Sequence, residues 1–262
     1  MPAEIVRKQT PEEAELLRKR EELASVRATL AERELELADL RAQLKSFEGR
    51  YLRQVGVLYA ELDEWDARIA ELEASLNPVP EAQQHAEQAR KRADETQEAT
   101  HGEASKAQDF QPSADLKSLF REVAKRIHPD FAKDDADRQH RTRLMAQANE
   151  AYGRGDAEAL QRILSDYDES SESVQGEGIG AELIRIIRQI HQARKNIAAL
   201  EEEQARLSTS ELSQLKKDAE MAQREGRDLL AQLATALAGK IMQRRKEHEA
   251  LAQRVDAHER QV

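Results

Sequence analysis

At 262 residues, with 35 % charged and 3 % aromatic side chains, the chain is too polar for one large core. Its wealth of Ala, Glu, Lys, Leu and Arg is that of long helices, so an all-α fold is expected. A formal net charge of −10 leaves no basic excess to displace phosphate counterions, which excludes general nucleic-acid binding. No cysteine is present, which excludes disulfides and thiol chemistry and fits a reducing cytosol. No apolar run approaches the ~20 residues that span a bilayer. Met1-Pro2-Ala3-Glu4 leads into charge rather than a signal-peptide core, so a cytoplasmic chain without membrane contact is expected.

Thr10-Pro11-Glu12-Glu13 is a helix start: Thr10 as cap, Pro11 at the first helical position, Glu13 closing a capping box. Leu16, Leu23, Leu30, Leu37, Leu44, Tyr51, Leu58, Trp65 and Leu72 then recur at heptad spacing. Val26, Leu40, Phe47, Val55, Leu62, Ile69 and Leu76 fill the intervening seam. The steps alternate three and four until Phe47, Tyr51 and Val55, which are four apart; such a stutter locally unwinds a supercoil. Residues 11–76 therefore predict an N-terminal coiled-coil helix about 100 Å long, in need of a partner helix to cover its seam.

Asn77-Pro78-Val79-Pro80 ends that helix. Residues 77–112 predict a proline break and a polar linker, because 81–109 have helix propensity but no large apolar side chain to bury. Residues 113–167 read differently, and with Phe110 they hold five of the nine aromatic residues. Ser113 caps a helix that places Leu116, Leu119, Phe120, Val123 and Ile127 on one face, and Pro129 stops it at His128. Asp134 opens a second helix with Leu144, Ala148, Ala151 and Tyr152 inward; after Gly153 and Gly155, Asp156 caps a third with Leu160, Ile163, Leu164 and Tyr167. The expectation is an antiparallel helical hairpin with one supporting helix.

Residues 168–180 predict a flexible acidic linker. Gly176-Glu177-Gly178-Ile179-Gly180 hints at a phosphate loop, but no strand precedes it and no Gly-Lys-Ser/Thr follows. Residues 181–262 return to heptads: Leu183, Ile186, Ile190, Ala193, Ile197, Leu200 and Leu207, a turn at Ser208-Thr209-Ser210, then Leu212, Leu215, Leu230, Leu233, Leu237, Ile241, Leu251 and Val255. A C-terminal coiled-coil helical hairpin is expected, although heptads alone also allow pairing with residues 11–76 or a homodimer.

On the first helix of the central segment Lys117, Arg121 and Lys125 recur every fourth residue, with Arg126 beside them. Like charges at that spacing repel by about 0.2–0.5 kcal/mol per pair. Placing Lys125, Arg126 and His128 at the helix C-terminus suits its dipole, and the remainder of the stripe suits an acidic partner surface. The stripe runs into His128-Pro129-Asp130, where a rigid proline lies between a directional donor and acceptor. Scattered histidines, carboxylates spread over coiled-coil faces, and the absence of a nucleophile elbow or phosphate loop predict no catalytic, cofactor or metal site.

The run from Leu116 through Arg121, Lys125 and Arg126 to His128-Pro129-Asp130, followed by Asn149-Glu150-Ala151-Tyr152, resembles the J domain of DnaJ-type co-chaperones. The resemblance covers about a fifth of the chain. It implies that His128, Pro129 and Asp130 touch the ATPase and linker region of a DnaK-class chaperone and trigger ATP hydrolysis there. It further implies that Lys117, Arg121, Lys125 and Arg126 form the docking helix. The ATPase site then belongs to the partner, and this chain is not expected to be an enzyme. The coiled coils would bind a protein client or an assembly. Two features depart from the family pattern: residues 81–112 lack the Tyr-Tyr…Leu-Gly helix that normally packs on the hairpin, and no Gly/Phe-rich, zinc-binding or β-sandwich region follows. The alternative is a structural coiled-coil scaffold or adaptor carrying a degenerate J domain.

Overall fold

The structure, a computed structural model, describes residues 10–104, 110–170 and 178–259. Among these the chain is all-α, with no strand. It divides into two units, one made of residues 1–43 and 110–210, the other of 44–109 and 211–262.

The first unit holds the leading part of α1 (Pro11–Tyr51), then α4 (Ala114–Ile127), α5 (Asp135–Gly153), α6 (Ala157–Ser170) and α7 (Ile179–Ser208). The capping box at Thr10 forms reciprocally: Glu13 N–H donates to Thr10 Oγ1 at 3.2 Å, and Thr10 N–H to Glu13 Oε2 at 2.9 Å. Leu16, Leu23, Val26 and Leu30 of α1 then pack with Phe131 and with Ile186, Ile190 and Ala193 of α7. The ion pairs Arg20 to Glu182, Arg33 to Glu201 and Arg41 to Glu203 rise together in number, so α7 lies parallel to α1. Of the arrangements that heptads allow for α7, it adopts the one against the N-terminal helix.

From Ala31 onward α1 turns to another core. Ala31, Leu35 and Ala38 pack with Leu116, Phe120, Val123, Ala124 and Ile127 of α4, Met145, Ala148, Ala151 and Tyr152 of α5, and Leu160 and Ile163 of α6. The helices of this module start where their caps predict. Leu116 N–H donates to Ser113 Oγ at 3.1 Å, Asp137 N–H to Asp134 Oδ1 at 2.8 Å, and Ala159 N–H to Asp156 Oδ1 at 2.9 Å. Gly155, at φ 71°, takes the left-handed conformation that reverses the chain between α5 and α6. Helix α6 continues through Ser170, so the expected linker starts later than residue 168; residues 171–177, with Gly176 and Glu177 of the glycine-rich motif, lie outside the described residues, and Ile179 and Gly180 open α7.

The second unit holds the end of α1, a π-helical turn at Leu52–Gly56, α2 (Val57–Leu76), α3 (Pro80–Ala104), α8 (Glu211–Arg224) and α9 (Leu229–Glu259). The π turn falls on the stutter. Its wider winding absorbs the surplus spacing and leaves both Phe47 and Val55 buried against Leu230 and Leu237 of α9. Helix α3 follows the expected proline break, in the stretch read as a polar linker with helix propensity, but it is packed rather than solvated. It folds back antiparallel on α2 with a seam of small residues, Ala86, Ala93 and Thr100, at heptad spacing. Small side chains let the helices approach closely, so no large apolar residue is needed. Arg90 pairs with Glu64 at 2.6 Å and Glu71 at 2.9 Å, and Asp63 accepts from Thr96 at 2.9 Å. The last helical stretch is interrupted at Gly226 (φ 77°), and Asp228 caps α9 by accepting from Ala231 N–H at 3.0 Å. Residues 105–109 are outside the described residues.

The alanine seam can be tested directly. Ala93 is 2 % exposed, so Ala93→Leu should overpack it and cost about 1–3 kcal/mol in urea unfolding. On a solvated linker helix the same change would be neutral.

Candidate functional site

The basic stripe and the His128-Pro129-Asp130 turn come together at the end of α4. The residue before a proline is pushed out of helical geometry, and His128 at φ −57°, ψ 132° ends the helix as expected. Pro129–Phe131 form one 3₁₀ turn, closed by Phe131 N–H to His128 O and Ala132 N–H to Pro129 O, both 3.2 Å.

The tip is enclosed rather than presented. The His128 side chain is 4 % exposed and that of Asp130 7 %. His128 Nδ1 accepts from Asp130 N–H at 3.1 Å, which leaves Nε2 to carry the ring proton and donate to Glu34 Oε1 of α1 at 3.2 Å. Asp130 Oδ1 accepts from Asn196 Nδ2 of α7 at 2.6 Å. The other carboxylate oxygen is buried without a donor, 3.6 Å from His128 Nδ1. Burial pushes the Asp130 carboxyl above the usual carboxylate range; the hydrogen bond from the Asn196 amide pulls it partly back. Phe131 packs beside the His128 ring, and the Arg27 guanidinium lies 4.2 Å over the Phe131 ring.

The predicted cations separate into two groups. Lys117 pairs with Asp39 at 3.0 Å and Arg121 with Glu32 at 3.3 Å, both on α1. Arg126 pairs within its own helix with Glu122 at 3.1 Å. Lys125 is exposed and, with Arg121 and Arg126, lines an open groove of about 560 Å³ bordered by Ala28, Ala31 and Glu32. Asp39 also accepts from the Tyr152 hydroxyl at 3.2 Å; burial and this neighbouring carboxylate hold the phenol above its ordinary range.

Arg141 on α5 also belongs to the site, although the stripe on α4 gave no sign of it. Its side chain is 7 % exposed, and its Nη1 donates to Arg126 O at 2.9 Å and His128 O at 3.4 Å. Arg126 O ends α4 with no helical partner and is satisfied by the buried guanidinium, while His128 O, which already accepts from Phe131 N–H, takes a second, longer bond. Asp137 steadies Arg141 at 2.9 Å, and Tyr167 stacks 5.1 Å away. The spacing of Asp137 and Arg141, four apart on one helix, was the signal available in the sequence.

Among the described residues no three His, Cys, Asp or Glu side chains cluster as metal ligands, and no helix is long and apolar enough to cross a membrane. The arrangement is a charged, hydrogen-bonded turn enclosed by side chains of α1 and α7. No family model, curated protein or solved structure matches the chain.

Proposed function

We propose that the chain is a J-domain-type co-chaperone: its central module docks a DnaK-class chaperone through α4 and the His128-Pro129-Asp130 turn and stimulates ATP hydrolysis in that partner. The observation that carries this reading is the antiparallel pair α4 and α5 with a basic stripe leading into that turn. A small hairpin of this kind buries too little core to stand alone. Here Ala31, Leu35 and Ala38 of α1 supply the missing wall, and Phe110 packs edge-on against Tyr152 at 5.4 Å. That removes the energetic objection raised by the absent leading helix, since the hairpin is braced by a helix some eighty residues upstream.

A second reading keeps the same fold without docking. The internal bonds of His128 and Asp130 favour a scaffold in which the turn is a structural joint. The two readings differ over the Asp130 carboxylate. A joint selected for stability gains nothing from a buried, half-satisfied carboxylate, whereas docking requires an acceptor there.

Single-turnover ATP hydrolysis by a DnaK-class chaperone, at saturating chain, tests the proposal. The wild-type chain should accelerate hydrolysis and His128→Gln should not. Equal rates with both, or no acceleration by either, would discard docking. Asp130→Asn should likewise lose stimulation, yet leave unfolding stability unchanged or raised. The sign follows from the raised carboxyl pKa. The ionised group costs stability above its folded-state pKa, and that cost fades as pH falls through it. Wild type should therefore gain stability relative to Asp130→Asn on mild acidification, as urea unfolding at several pH values would reveal.

A further inference from the structure

We infer that the groove between the Asp130 turn and the first half of α7 is a docking site for an acidic, aliphatic segment of a partner protein. This surface lies apart from the α4 stripe and needs nothing from the docking reading above. The groove has a volume of about 610 Å³, with Lys133 and Arg138 on one side, Ile184, Arg185 and Arg188 of α7 on the other, and Asp130 among its lining residues. Helical spacing explains how α7 serves two purposes. Ile186, Ile190 and Ala193 are buried on the cluster that holds Phe131 and the apolar side chains of α1. Ile184 and Arg188, four apart, and Arg185, three before Arg188, share the adjoining face.

The walls of this groove carry four cations in a chain whose formal net charge is −10. Other cations of the unit are neutralised within it: Arg194 of the same helix pairs with Glu22, Arg20 with Glu182, and Lys117 with Asp39. Arg138, Arg185 and Arg188 are exposed and form no ion pair among the described residues; Arg138 acts on Asp130 only at longer range. The Asp130 side chain is 7 % exposed, so this carboxylate lies at the floor and leaves the rim cationic. Ile184 is 54 % exposed on that rim. Guanidinium groups around an aliphatic side chain complement glutamate or aspartate beside a leucine-like one: the charges steer and orient, and the apolar contact is buried between them. A nucleic-acid backbone would meet the same cations, but it gains nothing from Ile184 and is opposed by the chain's net negative charge.

Fluorescence anisotropy with the full chain tests the groove, using a fluorescein-labelled peptide of repeated Glu-Glu-Leu as the probe. The peptide should bind, and more weakly as salt rises. Arg185→Glu with Arg188→Glu turns two attractions into repulsions and should weaken binding about tenfold. Ile184→Ser should weaken it as well, and a Gln-Gln-Leu analogue should not bind. All three side chains are exposed, so urea unfolding of these variants should match wild type. The same change of net charge placed at Arg143 and Lys246, both exposed and outside the groove, should leave peptide binding unaltered. No binding, or equal losses in the two charge-reversed pairs, would overturn the site. Tighter binding of single-stranded DNA, lost in the groove variants, would overturn it in favour of nucleic acid. A sedimentation mass that halves in those variants would overturn it in favour of a second copy of the chain. None of these readouts involves ATP hydrolysis, so the docking reading stands or falls separately.

Discussion

One apolar stripe on one helix sets the arrangement of the first unit. Leu30 of α1 is 1 % exposed and Ala31 3 %, yet these neighbours belong to different cores. The face that carries Leu30 is covered by α7 and Phe131; the neighbouring face, with Ala31, Leu35 and Ala38, forms a wall of the α4–α6 module. The turn at His128-Pro129-Asp130 spans that change of partner, because Ile127 lies in the second core and Phe131 in the first. A polar turn placed between two apolar cores must satisfy its groups from whatever helices pass nearby. Glu34, adjacent to that switch on α1, and Asn196, on α7, are the side chains that do so.

The satisfaction is incomplete, and where it fails is informative. The carbonyls at the end of α4 receive a guanidinium from Arg141, and both ring nitrogens of His128 are engaged. Asp130 keeps one buried oxygen with no donor. Leaving such a group unpaired costs about 1–3 kcal/mol, more when it is charged. A turn shaped by stability alone would carry a side chain with fewer demands, so the strain on Asp130 supports the docking reading over the scaffold.

Local features were legible in the sequence, and long-range ones were not. The caps at Thr10, Ser113, Asp134 and Asp156 were readable because a side chain reaches only three residues to an orphan amide. The break at Pro129 and the irregular winding near Tyr51 were readable for the same reason, since proline geometry and heptad spacing are local. The packing of α3 was hidden because its seam is alanine and threonine, and a search for large apolar residues passes over close helix packing. The direction of α7 was hidden because a heptad pattern reads the same for parallel and antiparallel partners. The enclosure of the tip depends on His128 meeting Glu34 from 94 positions away and Asp130 meeting Asn196 from 66, distances over which no pattern in one sequence carries information.

The same separation of scales explains how one module can be both braced and closed. A short hairpin needs a third wall, and α1 provides it with apolar contacts that persist as long as the module is folded. The same helix closes the tip from one side, through Glu34 on His128, and α7 closes it from the other, through Asn196 on Asp130. Helix α7 is itself held along an apolar seam: Ile186, Ile190 and Ala193 are buried, and Leu183, Ile197 and Leu200 pack beside them on the cluster that holds Leu16, Leu23, Val26 and Leu30. Bracing and closure of the tip therefore draw on the same two helices.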